Sequence, residues 1–100
     1  MEYLVDFEVT VPAGTPAAET EERFAGESVA AASLADAGHL LRVWKRPDDG
    51  AIVGLYRAND SRHLDALLKT LPLYPWMRID VTPLEAHPND PARVAAKIGS

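Results

Sequence analysis

The stretch "HLLRVWKRPDDGAIVGLYRA", residues 39–58, sets the topology because two strand-like segments flank one tight turn. The segments 39–46 and 51–58 are rich in apolar, β-branched and aromatic residues. Between them, residues 47–50 read Pro-Asp-Asp-Gly, which are residues that tight turns favour. The stretch therefore predicts an antiparallel hairpin in the middle of the chain.

A long helix is predicted before the hairpin. Thr15 is expected to cap it and Pro16 to be its first residue, because proline is tolerated at that position. The helix should end near Ala37, with Gly38 as its stop signal. Its apolar stripe is built mostly from small residues, which allow a helix to lie close to a sheet: Phe24, Ala31, Leu34 and Ala35.

A second helix and two outer strands complete the pattern. Asp60-Ser61 should cap the helix, whose leucines recur at the spacing of a buried face: Leu64, Leu67, Leu68 and Leu71. Residues 2–11 and 76–84 alternate apolar and polar residues, as half-buried strands do. The order βαββαβ predicts a ferredoxin-like α+β fold with an antiparallel four-stranded sheet and both helices on one face.

The opposite face of such a sheet needs a cover. It should carry Leu4 and either Trp44 or Val43, and an uncovered apolar face of this kind favours association. We therefore expect a dimeric α+β barrel, in which the sheets of two copies close on each other.

Composition excludes several classes of function. The chain has 100 residues, enough for one domain, and a net charge of −5 with its ten basic residues scattered, so we expect no nucleic-acid partner. The sequence has no apolar run long enough for a membrane span, and its first residues lack the basic start and apolar run of a signal peptide, so we expect neither feature. The absence of cysteine fits a cytoplasmic protein. The three histidines lack metal-ligand spacing, so we expect no metal site.

The segment Leu71–Met77, "LPLYPWM", carries a resemblance to a known family. It is followed by Ile79-Asp80-Val81 and by His87-Pro88. Together with Val11-Pro12 and a glutamate on the first helix, these features resemble the muconolactone Δ-isomerase family over roughly residues 1–90. Residues 91–100 then form a C-terminal tail, with a short helix expected at Pro91–Lys97.

The resemblance implies a cofactor-independent isomerase. Members of the family move a double bond within a small unsaturated lactone by a 1,3-proton shift, in the β-ketoadipate pathway of aromatic hydrocarbon catabolism. Such a reaction needs a base and a group that stabilises the dienolate. The family also forms homo-oligomers, from a barrel-forming dimer up to a decamer.

Carried onto this chain, the resemblance makes Glu27 the catalytic residue. The family's lysine, three residues before the glutamate, is replaced here by Phe24, while Arg23 lies one turn before Glu27. The family's tyrosine and asparagine near the third strand are also missing from residues 45–52. The residues expected to bind substrate are Arg23, Phe24, Arg42, Trp44, Tyr74 and Trp76.

Two alternatives stay open at this point. The loss of the lysine could indicate a divergent member that acts on another enolisable metabolite. It could also indicate a small-molecule-binding barrel without catalysis, in which Glu27 is an ordinary solvated helix residue.

Overall fold

A computed structural model describes residues 1–92. The elements follow the predicted order: β1 (Glu2–Val9), α1 (Ala17–Asp36), β2 (Leu40–Lys45), β3 (Ile52–Arg57), α2 (Ser61–Leu68), a 3₁₀ turn (Tyr74–Trp76) and β4 (Met77–Leu84). The α+β fold is confirmed. The short helix expected at Pro91–Lys97 runs into residues 93–100, outside the described part of the chain.

The sheet has the strand order β2-β3-β1-β4, with every neighbouring pair antiparallel. Gly50, at φ +74°, closes the central hairpin, as its sequence predicts. Alternation along β1 directs Tyr3, Val5 and Phe7 toward the helices, and all three are buried. They form the core together with side chains from both helices and β3, including Leu34, Tyr56, Leu64 and Leu68.

The first helix departs from the sequence prediction at its start and along its face. The helix begins at Ala17, so Pro16 takes the N-cap position in place of Thr15, and no side chain among residues 1–92 caps the first turn. The hydroxyl of Thr15 donates instead to the carbonyl of Pro12 (2.7 Å). Ala35 is exposed, whereas Ala30 packs against the core beside buried Leu34. The predicted stop is confirmed, because Gly38 adopts φ +83°, which favours glycine.

The second helix forms as its sequence predicts. The carboxylate of Asp60 accepts a hydrogen bond from the backbone N–H of His63 (2.8 Å) and caps its first turn. Of the four leucines in the predicted stripe, Leu64, Leu68 and Leu71 are buried and Leu67 is partly buried.

The helix-free face of the sheet is left uncovered in the single chain. Register places Leu4 beside Leu55, and Val53 beside Trp44, on this face. Trp44 is 42% exposed there. Val43 pairs with Gly54 and therefore belongs to the helix side, because β2 has an irregularity between Leu40 and Arg42.

No helix within residues 1–92 is long and apolar enough to cross a membrane.

Candidate active site

An open cleft of about 250 Å³ lies between α1 and the helix-facing side of the sheet. Its wall is mainly apolar, with Phe7, Phe24, Ile52 and Met77 among the lining residues. The polar side chains in the lining are Glu27, Ser28 and Tyr56. The cleft thus combines an apolar surface with a single carboxylate, which is an arrangement suited to proton transfer.

Glu27 is held at the cleft by the backbone of a distant segment. The N–H of Leu73 donates to Glu27 Oε1 at 3.0 Å. Burial raises the pKa of the carboxyl group above its ordinary value, and the hydrogen bond from Leu73 offsets only part of that rise. No residue from 1 to 92 donates to Oε2. One oxygen therefore fixes the orientation of the group and the other is available to a substrate.

The same face of α1 explains the glycine inside the helix. A glycine there costs about 1 kcal/mol relative to alanine. A β-carbon on Gly26 would lie only 3.3 Å from Pro72 Cγ, and Arg23 Nη1 donates to the Pro72 carbonyl at 2.8 Å. Arg23, Gly26 and Glu27 follow the i, i+3, i+4 spacing of one helix face. The helix thus packs tightly on the Leu71–Met77 segment, which in turn positions Glu27.

Arg23 lies outside the cleft. Its guanidinium carbon is 4.8 Å from the centroid of the Trp76 ring, and its Nε is 3.6 Å from a carboxylate oxygen of Glu19. With its bond to the Pro72 carbonyl, the side chain is engaged on the segment that follows α2. Trp76 is part of the same contact and does not line the cleft.

The other expected binding residues lie further away. Arg42 stacks on Trp44, with 5.0 Å from its guanidinium carbon to the ring centroid, on the helix-free face of the sheet. Tyr74 lines a separate hollow of about 340 Å³ beside Leu64 and Ile79. Of the seven residues expected at the site, the structure brings Glu27 and Phe24 together in one cleft.

Tyr56 also lines the cleft, although it was not among the residues expected at the site. It is only 2% exposed, and burial together with the charge of Glu27 raises its pKa to about 12. One signal was present in the sequence. Alternation along β3 places Tyr56 on the same side as Ile52, facing α1, whereas the sequence pattern was used only to predict this strand as one arm of the hairpin.

The chain is similar to known proteins over almost its whole length. The sequence profile described as Muconolactone delta-isomerase matches residues 1–90. The chain belongs to the muconolactone Δ-isomerase family. The assignment made from the Leu71–Met77 segment is confirmed, and with it the prediction of an isomerase.

Two relatives and one solved structure illustrate the similarity to muconolactone Δ-isomerases. The muconolactone Δ-isomerase of Cupriavidus pinatubonensis is 34% identical over 89% of this chain and 97% of its own length. Muconolactone Δ-isomerase 1 of Acinetobacter lwoffii is 28% identical over 89% of this chain and 93% of its own length. A crystal structure of muconolactone isomerase superposes with a TM-score of 0.83 at 26% identity, covering 91% of this chain and 95% of the other.

Proposed function

We propose that this protein catalyses a cofactor-independent 1,3-proton shift that moves the double bond of a small unsaturated lactone such as muconolactone, in aromatic compound catabolism. The observation that carries the proposal is the placement of Glu27. Its carboxylate lies half-buried in an apolar cleft, with one oxygen anchored by Leu73 and the other without a donor in residues 1–92. The family and the relatives' names support the same chemistry.

The reaction needs one base that first removes a proton and then returns it. In an unsaturated lactone, the hydrogen on the ring carbon γ to the carbonyl is acidified by conjugation. Glu27 Oε2 takes this proton, and the electron pair moves through the double bond to the carbonyl oxygen as a dienolate. Glu27 then delivers the proton to the α carbon, so the double bond has moved and the carboxylate is regenerated.

The surroundings of Glu27 suit both transfers. The apolar wall raises the pKa of the carboxyl group, which brings it closer to the range in which it can both accept and return a proton. The N–H of Leu73 keeps the group oriented while its charge changes. A cleft of about 250 Å³ accommodates one five-membered ring with a short acidic arm.

The residues around the Leu71–Met77 segment act as a support for the base in this proposal. Arg23 binds the Pro72 carbonyl and stacks on Trp76, so we assign both side chains to holding this segment against α1. Phe24 contributes apolar surface to the cleft. The substrate-binding roles expected for Arg42, Trp44 and Tyr74 gain no support from the cleft of one chain.

A homo-oligomer is part of the proposal. The helix-free face presents the half-buried Leu4, Val53 and Leu55 beside the exposed ring of Trp44. A second copy placed on this face would remove that apolar surface from water. The dimeric barrel, and assemblies of it up to a decamer, remain the arrangement that we expect. Sedimentation of the purified protein measures this directly, and a monomer would contradict it.

The direct test of the function is turnover of muconolactone. Migration of the double bond out of conjugation with the carbonyl lowers the ultraviolet absorbance of the lactone, so the purified protein should cause a time-dependent decrease. A rate proportional to protein concentration supports the proposal. An unchanged spectrum at high protein concentration would contradict it.

The activity should depend on pH through Glu27. Its base form is the carboxylate, so kcat/KM should rise as the pH increases, with a midpoint above the ordinary glutamate pKa because burial raises it. Tyr56, with a pKa of about 12, stays protonated over this range.

The raised pKa of Glu27 also makes stability depend on pH. The folded protein binds the proton of the Glu27 carboxyl group more tightly than the unfolded chain does. The resulting stabilisation is therefore complete below the ordinary pKa and is lost as the pH rises through the folded value.

A substitution at Phe24 provides the control for this profile. Lysine at position 24 would place a positive charge one turn from Glu27, which favours the carboxylate and should move the midpoint to lower pH. Leucine at the same position changes the apolar surface without a charge and should leave the midpoint in place. Identical midpoints in the lysine and leucine variants would show that Glu27 does not control the profile.

A further inference from the structure

Tyr56 lines the cleft, and its hydroxyl group has no hydrogen-bond partner in the described part of the chain. The hydroxyl of Ser28, the other one in the cleft, donates to the Phe24 carbonyl at 3.4 Å on its own helix. Tyr56 makes no side-chain hydrogen bond to any residue from 1 to 92, yet no fully buried side-chain polar atom of these residues lacks a partner. The oxygen of Tyr56 is thus not a fully buried atom without a partner, and because the residue lines the cleft we infer that the oxygen is reached from there, although 98% of the residue is covered.

We propose that the Tyr56 hydroxyl binds the carbonyl oxygen of the substrate lactone and stabilises the dienolate that forms when Glu27 removes the proton. This assignment rests on the proposed function and adds the group that receives the developing negative charge. Tyr56 keeps its own proton throughout. The bond broken is the ring C–H, the proton moves to Glu27, and the electron pair ends on the oxygen that accepts the Tyr56 hydrogen bond.

The absence of a side chain at Gly54 allows the Tyr56 ring to lean over this residue. A β-carbon at position 54 would lie 2.7 Å from Tyr56 Cε2 and 3.6 Å from Cζ. The ring therefore lies over the glycine and does not stand straight up from the sheet. Gly54 and Tyr56 share the helix-facing side of β3, so the ring leans along the strand toward Ile52, which also lines the cleft.

The charges in the cleft favour a donor role. A phenol whose pKa is about 12 keeps its proton at every pH where the enzyme is expected to work, so it donates and does not act as a base. The charge of Glu27 contributes to that raised pKa, which indicates that the two groups interact. When the proton reaches Glu27, the negative charge moves to the substrate oxygen. A hydrogen bond from Tyr56 then strengthens as the transition state forms.

Among the described residues that line the cleft, Tyr56 is the one available to stabilise the dienolate oxygen. The described residues that line the cleft include no lysine, arginine or histidine. Ser28 is occupied by its own helix. The dienolate therefore meets one free O–H donor among these residues, and no cation.

Tyr56→Phe tests the assignment, and Tyr3→Phe is its matched control. Tyr3 pairs with Tyr56 on the neighbouring strand and is 3% exposed, but its hydroxyl contacts Met1 Sδ at 3.3 Å, outside the cleft. Removing the Tyr56 hydroxyl should lower kcat about 100-fold with little change in KM, which is the effect of losing a donor to a developing oxyanion. Tyr3→Phe should keep kcat within about twofold. Equal losses in the two variants would overturn the assignment.

A binding measurement separates this inference from the proposed function. Tetronate, the enolate anion of a five-membered lactone, resembles the dienolate, and Glu27→Gln supplies a neutral cleft that resembles the protonated base. Calorimetric titration should give an affinity about 10- to 100-fold weaker in E27Q/Y56F than in E27Q, as expected for a hydrogen bond to a charged acceptor. E27Q/Y3F should match E27Q.

The outcomes are distinguishable. Equal tetronate affinities in E27Q and E27Q/Y56F, including no binding to either, would overturn the role of Tyr56 even if the unmodified protein isomerises muconolactone. A weaker affinity in E27Q/Y56F together with no turnover by the unmodified protein would support Tyr56 as the enolate donor. That result would at the same time contradict muconolactone as the substrate.

Discussion

Glu27→Gln is expected to lower the turnover of muconolactone about 100- to 10,000-fold, the range over which a positioned acid–base group accelerates proton transfer. The amide oxygen of glutamine can still accept the hydrogen bond that Leu73 donates to Glu27 Oε1, so the geometry of the cleft should persist. The amide cannot take up and return a proton. The loss should therefore fall on kcat, measured from the absorbance change of the lactone.

The same variant should be at least as stable as the unmodified protein at neutral pH. Burial penalises the charged form of Glu27, which is why its pKa is raised, and a neutral amide avoids that cost. Glu22→Gln is the control, because Glu22 is an exposed residue of the same helix and should change neither rate nor stability. Thermal unfolding measures the stability of each variant. Full activity of E27Q would remove Glu27 from the mechanism.

Gly54→Ala is expected to affect both stability and activity through a single methyl group. The new β-carbon would lie 2.7 Å from Cε2 of the Tyr56 ring, closer than such contacts allow. Overpacking of this kind costs about 1–3 kcal/mol in the free energy of unfolding. Because φ at Gly54 is not positive, backbone strain plays no part and the cost comes from the ring contact. Urea-induced unfolding measures the change.

The effect on activity should depend on the Tyr56 hydroxyl. If the displaced ring carries its hydroxyl away from the substrate, Gly54→Ala should lower kcat in the unmodified protein but add little in a Tyr56→Phe background. The loss of stability should persist there, because phenylalanine has the same ring. Losses in kcat that multiply in the double variant would contradict the idea that Gly54 acts through Tyr56.

The topology was predictable because short-range signals agree with one another. The Pro-Asp-Asp-Gly turn, the alternation in the outer strands and the leucine spacing after Asp60 each fix one element, and their order leaves few arrangements. The start of α1 was less predictable. Thr15 has the residue type of a cap, but its hydroxyl binds the Pro12 carbonyl, and the sequence does not distinguish these two hydrogen bonds.

The site was predictable only in part. Glu27 followed from the resemblance, whereas Arg23 was expected to bind substrate because it lies one turn away on the helix. Its actual partner, the Pro72 carbonyl, is 49 residues distant and depends on how α1 meets the segment after α2. Tyr56 could be assigned to a face of β3 by alternation, but the lean of its ring depends on the missing side chain at Gly54.

The hydrogen bond between Leu73 and Glu27 has a consequence for how the enzyme loses function on heating. The amide proton of Leu73 is shielded only while α1 and the segment after α2 stay in contact, so its hydrogen-exchange rate reports the fraction of molecules whose base is correctly oriented. A local opening at this contact would leave the sheet folded but would break the hydrogen bond that orients the Glu27 carboxylate. Inactivation should therefore begin at a lower temperature than the loss of strand structure, and it should coincide with faster hydrogen exchange of the Leu73 amide.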